Sequence, residues 1–176
     1  MALRFLSDDF ERYLPPTGLR RAAMFVWFLV GVTMVCGIAA FYSPAHDPAW
    51  WGALKKPAGM PPSWVFPSIW MLMYVAMAVA VWLVWRSAPW HRTGLAQLLW
   101  WTQLILNAIW MPLFFGSHRV GLAVLEIFVL IVAIGATIGA FRRHSRMAAW
   151  LLAPYLGWVG FLAMLNMQIW KLNSLG

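Results

Sequence analysis

Polar and aromatic side chains recur at helical spacing inside the apolar stretches of this chain. Residues three or four positions apart lie on one face of a helix. Three such sets are Gln103, Asn107, Trp110 and Phe114; Tyr155, Trp158, Leu162 and Asn166; and the pair Trp70 and Tyr74. A buried amide needs a hydrogen-bond partner, and indole and phenyl rings offer flat apolar surfaces. Such side chains predict a site for a flat apolar molecule held by a few polar contacts.

Each of these residues also has a plainer interpretation. The amides of Asn107 and Gln103 could be hydrogen bonds that hold helices together, and each ring could be ordinary packing. Glu126 is the one acid within an apolar stretch, which makes it a candidate functional group. It lies about two turns from the start of its helix, so it could instead reach the membrane surface. No second acid accompanies it, which weakens a proton-relay or transporter interpretation.

Composition predicts a membrane protein. Of the 176 residues, 63% are hydrophobic and only 10% are charged, too few charges to cover the surface of a water-soluble domain. The 14 tryptophans suit membrane interfaces, where an apolar ring meets a polar N–H group. The net charge of +8 does not indicate a nucleic-acid partner, because the basic residues flank apolar runs and contact lipid head groups there.

Five apolar runs of about 20 residues, the length that a bilayer core requires, predict the fold class. It is an all-α membrane protein, a five-transmembrane-helix bundle. The predicted helices cover about 22–42, 64–85, 94–115, 120–141 and 147–170. Ser63 is predicted to cap the second helix, and Pro112 falls in the last turn of the third. Residues 1–20 are predicted to form an N-terminal polar extension and residues 21–173 the transmembrane domain.

Charge asymmetry predicts the orientation of the helices. Nine of the 13 Lys and Arg residues lie on the side of the N-terminus, which the positive-inside rule places in the cytoplasm, with the C-terminus outside. A bacterial cell membrane is the predicted location. The connector 43–62 then lies on the outer side, above the depth where the polar and aromatic sets meet. It is rich in Pro, Gly and Lys, and we predict that it forms a lid.

Several classes of site find no support in the sequence. The single cysteine, Cys36, excludes an internal disulfide framework. The histidines all fall in connectors, which argues against a membrane cytochrome with axial haem ligands. No catalytic triad, phosphate-binding loop or metal-ligand spacing is visible, so neither a metal nor a required cofactor is predicted. Gly135 and Gly139 form a G-x-x-x-G motif that either permits close helix approach or arises by chance.

Three stretches resemble the motifs of the translocator protein / tryptophan-rich sensory protein (TspO) family. They read WWGALKKPAGMPPSWVFPSIWMLMY, QLILNAIWMPLFFG and PYLGWVGFLAMLNMQIWKLN, and the resemblance covers roughly residues 25–173. It implies a five-helix bundle, usually a homodimer, with a pocket closed by the first connector. The implied ligands are porphyrins, including protoporphyrin IX and haem, and other flat apolar small molecules.

The resemblance also implies site residues and a role. By motif, the pocket positions are Trp51, Trp70, Tyr74, Asn107, Trp110, Trp158 and Leu162, and the helix-face spacing adds Phe114. The implied role is sensory, transport-linked or tetrapyrrole-regulating. Some bacterial members degrade protoporphyrin in light, and the two tryptophans tied to that activity match Trp70 and Trp158, since an electron-rich indole could donate an electron to an excited porphyrin. A light-dependent enzyme and a small transporter using Glu126 are the alternatives.

The lid and the last helix depart from the family pattern. Trp51 stands where the family usually has Tyr, and Gly59 stands where it usually has Trp, which predicts a looser lid. The pair Lys55 and Lys56 runs against the charge asymmetry and could meet porphyrin carboxylates at the pocket mouth. The fifth helix lacks the Tyr of the cholesterol motif, which counts against a sterol ligand.

Overall fold

A computed structural model describes residues 17–174, which form helices joined by short connectors. The helices are α1 Gly18–Phe41, α2 Pro48–Ala53, α3 Val65–Trp85, α4 Trp90–Met111, α5 Val120–Arg142 and α6 Arg146–Ser174, and a π-helical turn, Pro112–Gly116, follows α4. Within these residues, five helices are long and apolar enough to cross a membrane, α4 being counted with its π-helical turn. The predicted fold class is confirmed. Residues 1–16 of the predicted extension lie outside the described residues.

The five long helices form a ring in the order α1, α3, α6, α5 and α4, and α4 contacts α1 again. Connections shorter than five residues make α3 and α4, and likewise α5 and α6, antiparallel neighbours. Small side chains such as Ala78 and Ala80 are fully buried, which lets helix backbones approach closely. Large apolar side chains such as Leu72 and Val132 are 66% and 71% exposed. They form the outer surface that a bilayer would cover.

The two ends of the bundle differ in what covers them. We call the end at Phe41, Val65 and Ser174 the lid end, because the connector 42–64 crosses it. We call the opposite end the basic end, because Arg20, Arg21 and Arg86 lie there. With five spans, α1 begins at the basic end and α6 ends at the lid end. Which end faces the cytoplasm stays a prediction.

The predicted cap of one helix and the predicted start of another are wrong. The N–H of Val65 donates to the carbonyl of Pro62 at 3.0 Å, so a turn runs directly into α3, Trp64 stands at the N-cap and Ser63 does not cap the helix. The third apolar helix was predicted to start at about 94, yet α4 begins at Trp90. Thr93 is fully buried there and its hydroxyl accepts from Gln97 Nε2 at 3.0 Å.

The end of the third span also differs from the prediction. Pro112 has no N–H group to continue the α-helical pattern, and a π-helical turn starts at this residue. The N–H of Ser117 donates to the carbonyl of Pro112 at 2.8 Å. Phe114 and Phe115 are both buried, at 2% and 7% exposed. The wider turn thus directs two consecutive rings into the bundle.

The G-x-x-x-G motif of α5 does not serve packing within the chain. Gly135 and Gly139 are exposed, and a Cβ atom at either position would meet nothing within 4 Å. The close helix approach occurs instead at Gly31 of α1, where a Cβ would lie 2.8 Å from Cη2 of Trp101 in α4. The α1–α4 contact therefore depends on the missing side chain at Gly31.

A matched pair of glycine substitutions tests this contact. We expect Gly31→Ala to lower the Tm of the protein in detergent, because overpacking costs about 1–3 kcal/mol. We expect Gly37→Ala to leave the Tm unchanged or raise it, since its Cβ meets nothing within 4 Å and alanine favours a helix over glycine by about 1 kcal/mol. Thermal unfolding followed by circular dichroism measures both. A Tm for Gly31→Ala at or above that of Gly37→Ala would contradict the packing described.

Candidate functional site

The floor of the predicted site is a hydrogen-bond network that joins three helices. Tyr74 Oη donates to Asn107 Oδ1 at 2.9 Å, Asn107 Nδ2 donates to Tyr155 Oη at 3.3 Å, and Tyr155 Oη donates to Gln103 Oε1 at 3.0 Å. All four side chains are buried. The two amides therefore face the bundle, as predicted, and they link α3, α4 and α6. We call these four residues the floor network.

Trp70 covers the floor network on the α3 side. Its ring stacks on Tyr74 with centroids 5.3 Å apart and an interplanar angle of 26°, and it meets the edge of Tyr155 at 6.1 Å. The predicted pair one turn apart on α3 is thus in contact. Trp158 lies elsewhere on the α3–α6 contact, between Phe66 at 6.0 Å and Phe161 at 5.5 Å.

A second group of rings lies toward the lid end. Trp110 stacks on Phe114 with centroids 5.1 Å apart and an angle of 20°. Trp51 of the connector lies 6.3 Å from Phe114 and 5.3 Å from Phe115. We call these four residues the lid aromatic cluster. Sequence reasoning missed Phe115, although its place beside Phe114 in the LFFG stretch was a signal.

The connector is ordered by a short helix of its own. Asp47 caps α2 by accepting the N–H of Trp50 at 3.0 Å, and Pro48 opens the helix. The ring of Trp50 stacks on His118 with centroids 4.2 Å apart. His118 Nε2 also lies 3.5 Å from Asp47 Oδ2. The α4–α5 connector thus holds α2 across the lid end, as a lid requires.

A second attachment comes from the end of α6. The side chain of Asn173 accepts the N–H of Lys55 and donates to its carbonyl, each at 3.0 Å. The ammonium of Lys56 donates to the carbonyls of Trp51 and Leu54 and lies 4.6 Å from the centre of the Trp51 ring. Lys56 therefore hydrogen-bonds carbonyl groups at the C-terminal end of α2. Its predicted place is the mouth of the pocket. The hold of Asn173 on the lid was not anticipated, though this residue ends the last family motif.

Buried polar atoms without a hydrogen-bond partner concentrate in the site. Among residues 17–174 they include Nε1 of Trp110 and Trp158, both carboxylate oxygens of Glu126, and both amide atoms of Asn166. Glu126 is 9% exposed, so the interpretation that it reaches the membrane surface is wrong. Its place on the side of α5 that faces the other helices keeps it inside the bundle.

Cavities lie beside the predicted residues rather than among them. One of about 540 Å³ opens between α1 and α4, and one of about 310 Å³ lies between α2, His118 and the end of α6. None of the eight predicted ligand-binding residues lines either cavity. The predicted set includes Leu162, which is buried in the main core. The role of these residues as ligand contacts stays a prediction.

No group of three or more His, Cys, Asp or Glu side chains that could hold a metal ion occurs within residues 17–174. What the site offers chemically is aromatic surface, buried amides and a single buried carboxylate. These groups suit binding of an aromatic molecule with a few polar substituents.

Comparison with known proteins gives a consistent result. A model of the TspO/MBR family matches residues 24–171. The translocator protein of Ovis aries is 36% identical over 151 residues, which cover 82% of this chain and 89% of the relative. The tryptophan-rich sensory protein of Cereibacter sphaeroides is 34% identical over 152 residues, 86% of this chain and 92% of the relative. The tryptophan-rich protein TspO of Archaeoglobus fulgidus is 31% identical over 146 residues, 83% and 94% respectively.

Removing the Asn173 side chain should loosen the lid. Each of its two hydrogen bonds to Lys55 contributes about 1 kcal/mol, so Asn173→Ala should speed amide hydrogen exchange of Lys55 and its neighbours by about thirtyfold. Exchange measured by mass spectrometry on residues 47–60 reports this. Leu172→Ala is the control, because Leu172 is an exposed neighbour. Equal exchange in the two variants would show that Asn173 does not hold the lid.

Proposed function

The chain belongs to the TspO/MBR family of membrane proteins, and from this premise we propose that it binds porphyrins, such as protoporphyrin IX or haem, beneath its lid. Its role in the cell is then sensory or transport-linked, in a bacterial cell membrane with the lid end outside. The observation that supports this proposal most directly is the lid aromatic cluster above the floor network. A flat macrocycle matches stacked rings better than any other common ligand class.

The geometry supports entry between the ring stacks. Trp110 and Phe114 already lie nearly parallel, at 20°, so a planar ligand can replace one partner of the stack without turning the other ring. Deeper in, Trp70 is half-buried over Tyr74 and offers a second aromatic surface. The porphyrin carboxylates would remain at the lid end, near the exposed Lys55 and Lys56.

Membership of the family also bears on the oligomeric state and on whether a sterol is a ligand. The family resemblance implies a homodimer, and the outward-facing Gly135 and Gly139 leave room for a close helix contact between copies. A sterol ligand is not part of the proposal, since the fifth helix lacks the Tyr of the sterol motif.

Porphyrin titration with tryptophan variants tests the binding site. Protoporphyrin IX should quench the tryptophan fluorescence of the wild type in a saturable way. Trp70→Phe and Trp158→Phe should each weaken binding by about tenfold, because loss of an indole surface in a pocket costs about 1–2 kcal/mol.

The matched control is Trp150→Phe, since Trp150 is 76% exposed near the basic end. It should bind protoporphyrin as the wild type does. Wild-type affinity in both Trp70→Phe and Trp158→Phe would remove these residues from the site, and unsaturable quenching in the wild type would refute porphyrin binding itself.

A second candidate function is light-dependent breakdown of protoporphyrin IX. The Trp70–Tyr74 stack favours it, because the Tyr74 hydroxyl donates to Asn107 Oδ1 at 2.9 Å and an indole in contact with a hydrogen-bonded phenol is suited to electron donation. The porphyrin, excited by light, would be the electron acceptor. This activity needs the same ligand in the same place, so it extends the binding proposal.

Illumination separates the two functions. If the chain is the enzyme, the porphyrin Soret band should fall in light and persist in the dark, and the fall should slow at least tenfold in Trp70→Phe when porphyrin is saturating. Absorbance spectra recorded during illumination measure this, with porphyrin in empty membrane discs as the blank. A light-induced loss no faster than the blank would leave binding as the function.

A further inference from the structure

Just below the lid, one hydrophobic cluster shows how α4, α5 and α6 are aligned in depth. Phe114 of the π-helical turn after α4, Ala123 of α5 and Ile169 of α6 pack in one hydrophobic cluster. One turn further into the bundle come Trp110, Glu126 and Asn166, which lie roughly 4.5–6 Å from that cluster along their own helices. These three residues therefore share a depth above the floor network, at the inner edge of the lid aromatic cluster to which Trp110 belongs. We call them the polar layer.

The polar layer consists of groups that the protein leaves unsatisfied. Trp110 Nε1, both oxygens of Glu126 and both amide atoms of Asn166 are buried and have no hydrogen-bond partner among residues 17–174. Asn166 is 2% exposed. A buried polar group without a partner destabilises the fold, and a charged one does so more. By contrast, the hydroxyls of Tyr74 and Tyr155 in the floor network do find partners. Within residues 17–174, the floor network leaves only Nε2 of Gln103 without a partner, whereas every polar side-chain atom of the polar layer lacks one.

The chemistry of the layer favours a ligand that donates hydrogen bonds. Its acceptors are the two oxygens of Glu126 and Oδ1 of Asn166, and its donors are the indole N–H of Trp110 and the amide of Asn166. Apart from Glu126, the acid within residues 17–174 is Asp47, which stands on the lid. A buried carboxylate gains most from a cationic or N–H partner.

We propose that Trp110, Glu126 and Asn166 form a subsite that takes the nitrogen-bearing part of an aromatic ligand, either a protonated amine or a ring N–H group. Glu126 accepts its hydrogen bond, and the aromatic body lies in the lid aromatic cluster. This subsite rests on the proposed function, because it needs a ligand under the lid. With Lys55 and Lys56 above and Glu126 below, the site orients a ligand with its acidic groups outward and its nitrogen groups inward.

Two probes of the same shape test the subsite. 9-Aminoacridine is a cation at neutral pH, protonated on its ring nitrogen and carrying an NH2 group, and acridine is the neutral ring system without that group. We expect the full chain in lipid nanodiscs to bind 9-aminoacridine about tenfold more tightly than acridine, as one charge-assisted hydrogen bond would give. Fluorescence titration measures both, with empty nanodiscs subtracted. Protoporphyrin IX is titrated into the same samples.

The variants separate recognition by Glu126 from general charge. Glu126→Gln keeps the shape of the side chain and should abolish the preference for 9-aminoacridine while acridine binding stays the same. Asn166→Leu should reduce the preference by removing the second acceptor. The matched control is Leu172→Lys, which makes the same change in net charge at an exposed position of the lid end. It should retain the wild-type preference.

The outcomes are distinguishable. Wild-type protein that binds protoporphyrin IX but shows equal affinity for the two acridines overturns the subsite and leaves the proposed function intact, and this result needs no variant to fold. Equal losses in Glu126→Gln and Leu172→Lys also overturn it, because the effect would then be one of overall charge. A lower Tm of Glu126→Gln together with the wild-type preference for 9-aminoacridine would show that the polar layer serves stability, and this result also overturns the subsite. Wild-type protein that binds none of the three compounds refutes both proposals.

Discussion

Hydrogen bonding inside hydrocarbon sets the position of this site. A lipid interior offers no water to replace a missing partner, so Tyr74, Asn107, Tyr155 and Gln103 must find one another. Their bonds fix the rotation of α3, α4 and α6 about their own axes. Once these helices are fixed, the rings one or two turns away on the same faces point into the same space, toward the lid end. The aromatic part of the site thus follows from the polar part.

The lid depends on a different constraint, the proline that ends α4. Without an N–H group at Pro112 the helix widens, and Phe114 and Phe115 both turn inward. Trp51 can then pack on two rings rather than one. The contacts of Asp47 with His118 and of Lys55 with Asn173 hold the connector over them. The lid is therefore attached to the ends of α4, α5 and α6, in addition to its covalent connections to α1 and α3.

Much of this arrangement could be predicted from the sequence, and the rest could not for identifiable reasons. Apolar runs of bilayer length gave the five spans, because length and hydropathy alone decide what crosses a membrane. Helical spacing brought Asn107 and Trp110 to the inner face, since three- and four-residue steps are properties of the helix. The π-helical turn at Pro112 and the hold of Asn173 on Lys55 were not predictable, because each depends on which atoms meet across the fold. Ser63 failed as a cap because a turn from Pro62 already supplies the first carbonyl.

The tryptophans of this chain serve two physical purposes, and their indole N–H groups tell them apart. At the basic end, Nε1 of Trp82 donates to the carbonyl of Arg21 at 3.0 Å, and the guanidinium of Arg86 lies 4.7 Å from its ring. These contacts are typical of a tryptophan at the membrane interface. Its N–H group donates to a backbone carbonyl, and its ring lies beside a cation. Under the lid, Trp110 and Trp158 keep buried N–H groups without a partner in the described chain. Nε1 of Trp100, whose ring packs on Phe28 of α1, is likewise buried without a partner in the described chain, so the hydrogen bonds distinguish interfacial tryptophans from buried ones, which a count of tryptophans does not.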